Sequence, residues 1–165
     1  MSTLQVQTLQ GPTSGPDSNT VRVADNHKLH AKGHVVQFKE AVNTTEVNIS
    51  VGVQATIVTL NFTPKFSDSL ILCQAFHSQD GAVGGNSYCN AYIFAGTTEV
   101  GRAEAVGYHI TRTSDARFTY GYSGSIASWG TTSLAIDLDV LAISDEWQVS
   151  RARMETSLLV WEIAQ

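Results

Sequence analysis

The chain has 165 residues, of which only 15% are charged, with 13 glycines and three prolines; that composition suits one domain of short strands and tight turns better than long helices. A net charge of −5 and ten scattered Lys and Arg residues leave no basic stripe able to neutralise several phosphates, which excludes nucleic-acid binding. No run approaches the ~20 apolar residues needed to span a bilayer, and no basic region precedes an apolar core near Met1; the expectation is a soluble chain with no membrane partner and no export signal of its own.

Residues 1–10 alternate Thr3, Gln5 and Gln7 with Leu4, Val6 and Thr8, a weak strand able to add to the edge of another sheet. Gly11-Pro12-Thr13-Ser14-Gly15-Pro16-Asp17-Ser18-Asn19 is a run of turn formers and reads as a loop. Val21-Arg22-Val23-Ala24 is a short extended piece, and the chain is then polar up to Gly33. Residues 1–32 are therefore expected to form an extended N-terminal arm, with Gly33-His34-Val35-Val36-Gln37 as the hinge into a body over 33–165. Fully extended, such an arm reaches on the order of 100 Å, far enough to contact a neighbouring subunit.

Past the hinge, β-type runs recur between turn signals. Val35 to Phe38 and Glu46 to Val51 read as strands, and Thr56, Val58, Leu60 and Phe62 alternate with Ala55, Ile57, Thr59 and Asn61. Leu70 to Phe76 is apolar on both faces, as a strand that is central in a sandwich or at a subunit contact would be. Residues 79–86 read as a loop. Tyr88, Asn90, Tyr92 and Phe94 face one way and Cys89, Ala91 and Ile93 the other, and the chain from Gly96 to Ala116 is less regular. Phe118, Tyr120 and Tyr122 share one strand face, and residues 123–132 form a Ser/Gly loop carrying Trp129. Leu134, Ile136, Leu138 and Val140 then alternate with Ala135, Asp137 and Asp139, and segments around Trp147 and from Leu159 to Ile163 close the set. Eight to ten strands without a long helix point to an all-β fold, an antiparallel β-sandwich with jelly-roll topology of the TNF/C1q-like kind.

The same residues argue against catalysis. Gly121-Tyr122-Ser123-Gly124-Ser125 lacks the final glycine of a nucleophile elbow and the strand-to-helix turn that motif requires. His27, His30 and His34 have no periodicity that would converge them on a metal. Asp137 and Asp139 lie about 7 Å apart on one strand face, as a solvated face also explains. Cys73 and Cys89 sit in apolar runs without metal spacing and read as buried thiols. No enzyme activity and no cofactor is expected. Tyr88, Tyr92, Phe118, Tyr120 and Tyr122, aromatic with polar tips, have the composition enriched at subunit interfaces, and a core role explains them equally.

Three passages carry a family resemblance. Met1-Ser2-Thr3-Leu4-Gln5-Val6 with Leu9-Gln10-Gly11-Pro12-Thr13-Ser14-Gly15 and Gly33-His34-Val35-Val36-Gln37 resembles the opening of small virion proteins of tailed phages, particularly those of aquatic bacteria and cyanobacteria. Phe62-Thr63-Pro64-Lys65-Phe66-Ser67-Asp68-Ser69-Leu70-Ile71-Leu72 is similar to their Thr-Pro-x-x-x-x-Ser-x-Ile-Leu passage, and Leu158 to Gln165 to their closing strand. The resemblance implies a homotrimeric jelly roll used as a capsid decoration (cement) protein or as the tip of a tail or head fibre. In the first case the arm residues Leu4, Val6, Leu9, Val21 and Val23 would bind the major capsid protein. In the second, loops carrying Trp129 and Asn86 would contact a host surface glycan or protein.

Overall fold

The structure is a computed structural model and describes residues 31–81, 88–106, 117–144, 147–150 and 155–165. Ten strands follow in chain order: β1 (Val35–Asn43), β2 (Val47–Ile49), β3 (Gln54–Phe62), β4 (Leu70–Gly81), β5 (Tyr88–Ala95), β6 (Thr98–Val106), β7 (Arg117–Ala127), β8 (Leu134–Ser144), β9 (Trp147–Val149) and β10 (Thr156–Ile163). No helix among the described residues is long and apolar enough to cross a membrane.

The strands form two antiparallel sheets. One runs β1-β10-β4-β7, with the short β9 and β2 continuing from the far end of β4; the other runs β3-β8-β5-β6. The chain crosses between the sheets at every step from β2 to β5 and again from β6 to β9, while β1 and β2, β5 and β6, and β9 and β10 share a sheet, which is the two-Greek-key wiring of a jelly roll. The twelve residues of β4 explain the extra pair. Leu70–Phe76 bonds to β10, Gln79–Gly81 bonds to β9, and the opposite edge pairs with β7 along its length.

One core fills the space between the sheets. Ile71, Cys73, Ala75, Leu158 and Val160 from one sheet meet Leu60, Phe62, Ile93, Ile136, Leu138 and Val140 from the other. The alternation in β5 and β8 places every second residue inside, Cys89-Ala91-Ile93-Ala95 and Ile136-Leu138-Val140-Ala142, as the pleat requires. In β3 the expected alternation breaks once. A bulge between Thr56 and Val58 lets Ile57 and Val58 both point inward, so Thr56 faces outward although it shares parity with Val58.

Two local features close the sandwich on its sides. Lys39 donates from Nζ to the Asn61 carbonyl at 3.1 Å and lies over the Phe62 ring, joining β1 to β3. Opposite, β7 passes so close to β6 that a Cβ on Gly124 would stand 1.8 Å from the Val100 carbonyl oxygen. Residues 123–127, expected to be loop, are therefore strand: Gly124 is there because only glycine admits that approach. The stretch after Gly96 is also more regular than expected. Gly96-Thr97 makes a two-residue hairpin with Gly96 at φ 59°, and β6 runs nine residues beyond it.

Cys73 and Cys89 are buried on opposing sheets, in β4 and β5, and are not joined by a disulfide. Burial pushes the Cys73 thiol up to about 12.

Candidate functional site

The passages that carry the family resemblance converge on one buried carboxylate. Glu162, near the end of β10, is fully buried. Gln37 Nε2 donates to its Oε2 at 2.7 Å, the Lys65 N–H to both oxygens at 2.9 and 2.8 Å, the Phe66 N–H to Oε1 at 2.8 Å and the Ser69 hydroxyl to Oε1 at 2.7 Å. Burial alone would raise this carboxyl; the bonds from Lys65, Ser69, Phe66 and Gln37 outweigh it and hold the group below its ordinary value. Gln37 also donates to the Thr63 carbonyl at 2.7 Å. Gly33 donates to the Ala164 carbonyl at 2.8 Å, and Ala164 returns a bond to His34 at 2.9 Å. The hinge, the Thr-Pro passage and the closing strand are thus one structural knot.

Function is better sought on the two outer sheet faces, whose chemistries differ. Across the β1-β10-β4-β7 sheet the register lines residues into rows: Val35–Ile163–Leu70–Ala127, Phe38–Trp161–Leu72–Ser125, Glu40–Leu159–Gln74–Ser123 and Val42–Ser157–Phe76–Gly121. Only the third row is predominantly polar. Val35 and Phe38 are each 47% exposed, Val42 45% and Phe76 37%, and the Phe38 and Trp161 rings meet at 5.2 Å. With strands ~4.8 Å apart and alternate residues ~6.8 Å apart, four such rows cover on the order of 500 Å². The three mainly apolar rows make up on the order of 400 Å² of that, within the roughly 300–600 Å² of the largest apolar patch on an ordinary monomer.

The outer face of β3-β8-β5-β6 is polar with an aromatic centre. Its rows are Thr56–Asp139–Tyr92–Arg102 and Thr59–Asp137–Phe94–Glu99. The Tyr92 and Phe94 rings lie 5.9 Å apart, tilted by 30°. Gln54 Nε2 donates to Asp139 Oδ2 at 2.7 Å, Thr59 Oγ1 to Asp137 Oδ1 at 2.7 Å and Asn90 Nδ2 to the Tyr92 hydroxyl at 3.1 Å. Arg102 pairs with Glu99 at 3.3 Å and Glu104 at 3.0 Å.

The five residues expected at a shared aromatic interface do not lie on one face. Tyr88 and Tyr92 are on the outer face of β5, whereas Tyr120 and Tyr122 turn inward from β7 and pack against the core. There the His77 ring stacks on Tyr120 and meets Tyr122 edge-on, each at 5.7 Å. Burial, reinforced by Cys89 and Asp139, drives the Tyr122 phenol far above its ordinary range. Phe118 takes the β7 position opposite Gln79. The inward turn of β7 follows from its pairing with β4, which sets Tyr120 across from His77 and Tyr122 across from Ala75, both core positions.

Trp129 lies in the short loop after β7. Its Nε1 donates to the Thr132 carbonyl at 3.0 Å and its ring meets Phe62 edge-on at 6.3 Å, so it plugs the end of the core rather than standing free as a platform. Asn86 and the arm residues Leu4, Val6, Leu9, Val21 and Val23 lie outside the described residues, as do His27 and His30. Sequence reasoning missed the Phe38–Trp161 pair and the anchor at Glu162. The double-sided apolar run of β4 was the signal for the first, and a lone Glu in an apolar closing strand the signal for the second.

No family model and no curated protein matches the sequence. Among solved structures, the chain is similar to the crystal structure of the infectious bursal disease virus VP2 subviral particle, at 13% identity and TM-score 0.42, over 93% of this chain and 46% of that one. It is also similar to infectious bursal virus derived T=1 particles, at 12% identity and TM-score 0.44, over 91% of this chain and 42% of that one. A third likeness is to the Stig cyclase Fisc from Fischerella sp. TAU, at 14% identity and TM-score 0.39, over 69% and 57% of the two chains. The chain spans less than half the length of the two virus proteins. The jelly-roll assignment rests on strand order and register.

Proposed function

We propose that this chain is a virion structural protein, a homotrimeric decoration (cement) protein of a tailed-phage head. Its jelly roll sits on the capsid surface, and residues 1–32 clasp neighbouring major capsid subunits through Leu4, Val6, Leu9, Val21 and Val23. The observation that supports this reading most is the apolar outer face around Phe38 and Trp161. A face at this upper end of what monomers expose is suited to burial against a partner, and a second copy is always at hand. Three copies follow from the resemblance to virion trimers. Three arms on one trimer raise the effective concentration for capsid binding, so a weak clasp per arm becomes a firm one.

Removing residues 1–30 keeps the Gly33–Ala164 and His34–Ala31 bonds. The shortened protein is expected to assemble as the full chain does and to lose binding to phage heads; undiminished binding would overturn the clasp.

A second reading, the tip of a tail or head fibre recognising a host surface glycan or protein, is favoured by the polar and aromatic face around Tyr92 and Phe94. Immunogold labelling of purified virions distinguishes the two. Label over the whole head supports decoration, and label confined to the tail or to fibre ends supports the tip.

A further inference from the structure

The face around Tyr92 and Phe94 has a chemistry of its own. Two half-buried rings sit side by side at the centre of the four-stranded sheet, with Asp137 and Asp139 on the β8 side and Arg102, Glu99 and Glu104 on the β6 side. We propose that this face is a carbohydrate-binding site for neutral saccharides. A pyranose presents an apolar patch of C–H groups and a rim of hydroxyls. The ring pair accepts the first, and the surrounding carboxylates, amides and guanidinium accept and donate to the second.

Charge decides the class of sugar. The face carries four carboxylates, Asp137, Asp139, Glu99 and Glu104, against one guanidinium, Arg102, in a chain of net charge −5. Sialic and uronic acids would be repelled, and nucleic acid with them. The polar groups are also fixed before any ligand arrives. Gln54 holds Asp139, Thr59 holds Asp137, and Asn90 holds the Tyr92 hydroxyl. Asp137 is held through Oδ1 and keeps Oδ2 for a sugar hydroxyl, and the Tyr92 hydroxyl, an acceptor from Asn90, keeps its proton to donate. Preorganisation of this kind lowers the ordering cost of binding. The homotypic contact proposed above uses the opposite sheet and leaves this face open, and the site holds whether the protein sits on the head or the tail.

Saturation-transfer NMR on the full chain tests the site, with maltohexaose, cellohexaose and mannohexaose as neutral probes and sialyllactose as the acidic comparator. At least one neutral probe is expected to bind, and Tyr92→Ala or Phe94→Ala to weaken it by about tenfold or more with an unchanged melting temperature. Trp129→Ala is expected to leave binding intact. Should an aromatic replacement unfold the protein, Asp137→Asn, which keeps the shape of the side chain, is expected to weaken the same probe. The inference is overturned if no neutral probe binds, if sialyllactose binds as well as the neutral probes, or if Trp129→Ala removes binding that the Tyr92, Phe94 and Asp137 variants retain.

Discussion

Glu162 shows how a charged residue can be native to the inside of a β-sandwich. Its carboxylate gathers two backbone N–H groups and a hydroxyl from residues 65–69 and an amide from Gln37, two parts of the chain distant from it in sequence. Glu162→Gln presents N–H groups to donors that need an acceptor, and is expected to cost about 2–3 kcal/mol, read by chemical denaturation. The folded carboxyl titrates below the unfolded value of roughly 4.3, so its contribution is complete above that pH and is lost as pH falls through the folded pKa. The melting temperature of the wild type should therefore drop on acidification below about pH 4, and the Glu162→Gln variant should show a flatter acid limb. Tyr122 is the opposite case, with a buried hydroxyl that has no hydrogen-bond partner among the described residues. Tyr122→Phe removes that unsatisfied group and leaves the ring, and a gain of about 1 kcal/mol is expected in the same assay.

At the scale of the element, β7 carries the sharpest constraint. Gly124 faces the Val100 carbonyl across the gap between sheets, and neither side of that contact is a flexible side chain. Gly124→Ala is expected to destabilise by more than about 3 kcal/mol or to prevent folding, seen as loss of soluble protein or of cooperative melting. Gly121→Ala, three residues away, meets only the movable Phe76 ring on the outer face and should melt close to the wild type. This strand also marks where sequence reading stops. Alternation in β8 was legible because apolar and polar residues take turns, and its two Asp residues fell on the outer face as read. In the second half of β7, from Ser123 on, the sequence reads as a loop because Ser and Gly are turn formers, and only the neighbour across the gap explains the glycine. Alternation states which residues share a face, not which face is inside. Tyr88 and Tyr92 look like Tyr120 and Tyr122 in sequence, and pairing with β4 separates them. The bulge in β3 is a further case, since an inserted residue inverts parity without leaving a signal in composition.

At the scale of the molecule, the jelly roll presents two outer faces with opposite chemistry. The β1-β10-β4-β7 face is mainly apolar, interrupted by the Glu40–Gln74–Ser123 row, and the β3-β8-β5-β6 face is polar around an aromatic pair. Standard interfaces bury ~800 Å² per partner, so a face on the order of 500 Å² supplies much of one. Lateral pairing through the β1 edge is a poorer route: Lys39 and Glu40 lie mid-strand, and charges there discourage strand addition. The polar face has little to gain from burial against a copy of itself, because its carboxylates would meet in like pairs. Assembly through one face and recognition through the other is the division of labour this surface supports.

Sedimentation velocity of the full chain over a concentration series, alongside Phe38→Glu and Trp161→Glu variants, tests the central claim most directly. The account expects the wild type to sediment as a trimer and both variants to shift to monomer with circular dichroism and melting of the monomer fold retained. A wild type that stays monomeric throughout, or variants that assemble as the wild type does, would contradict it.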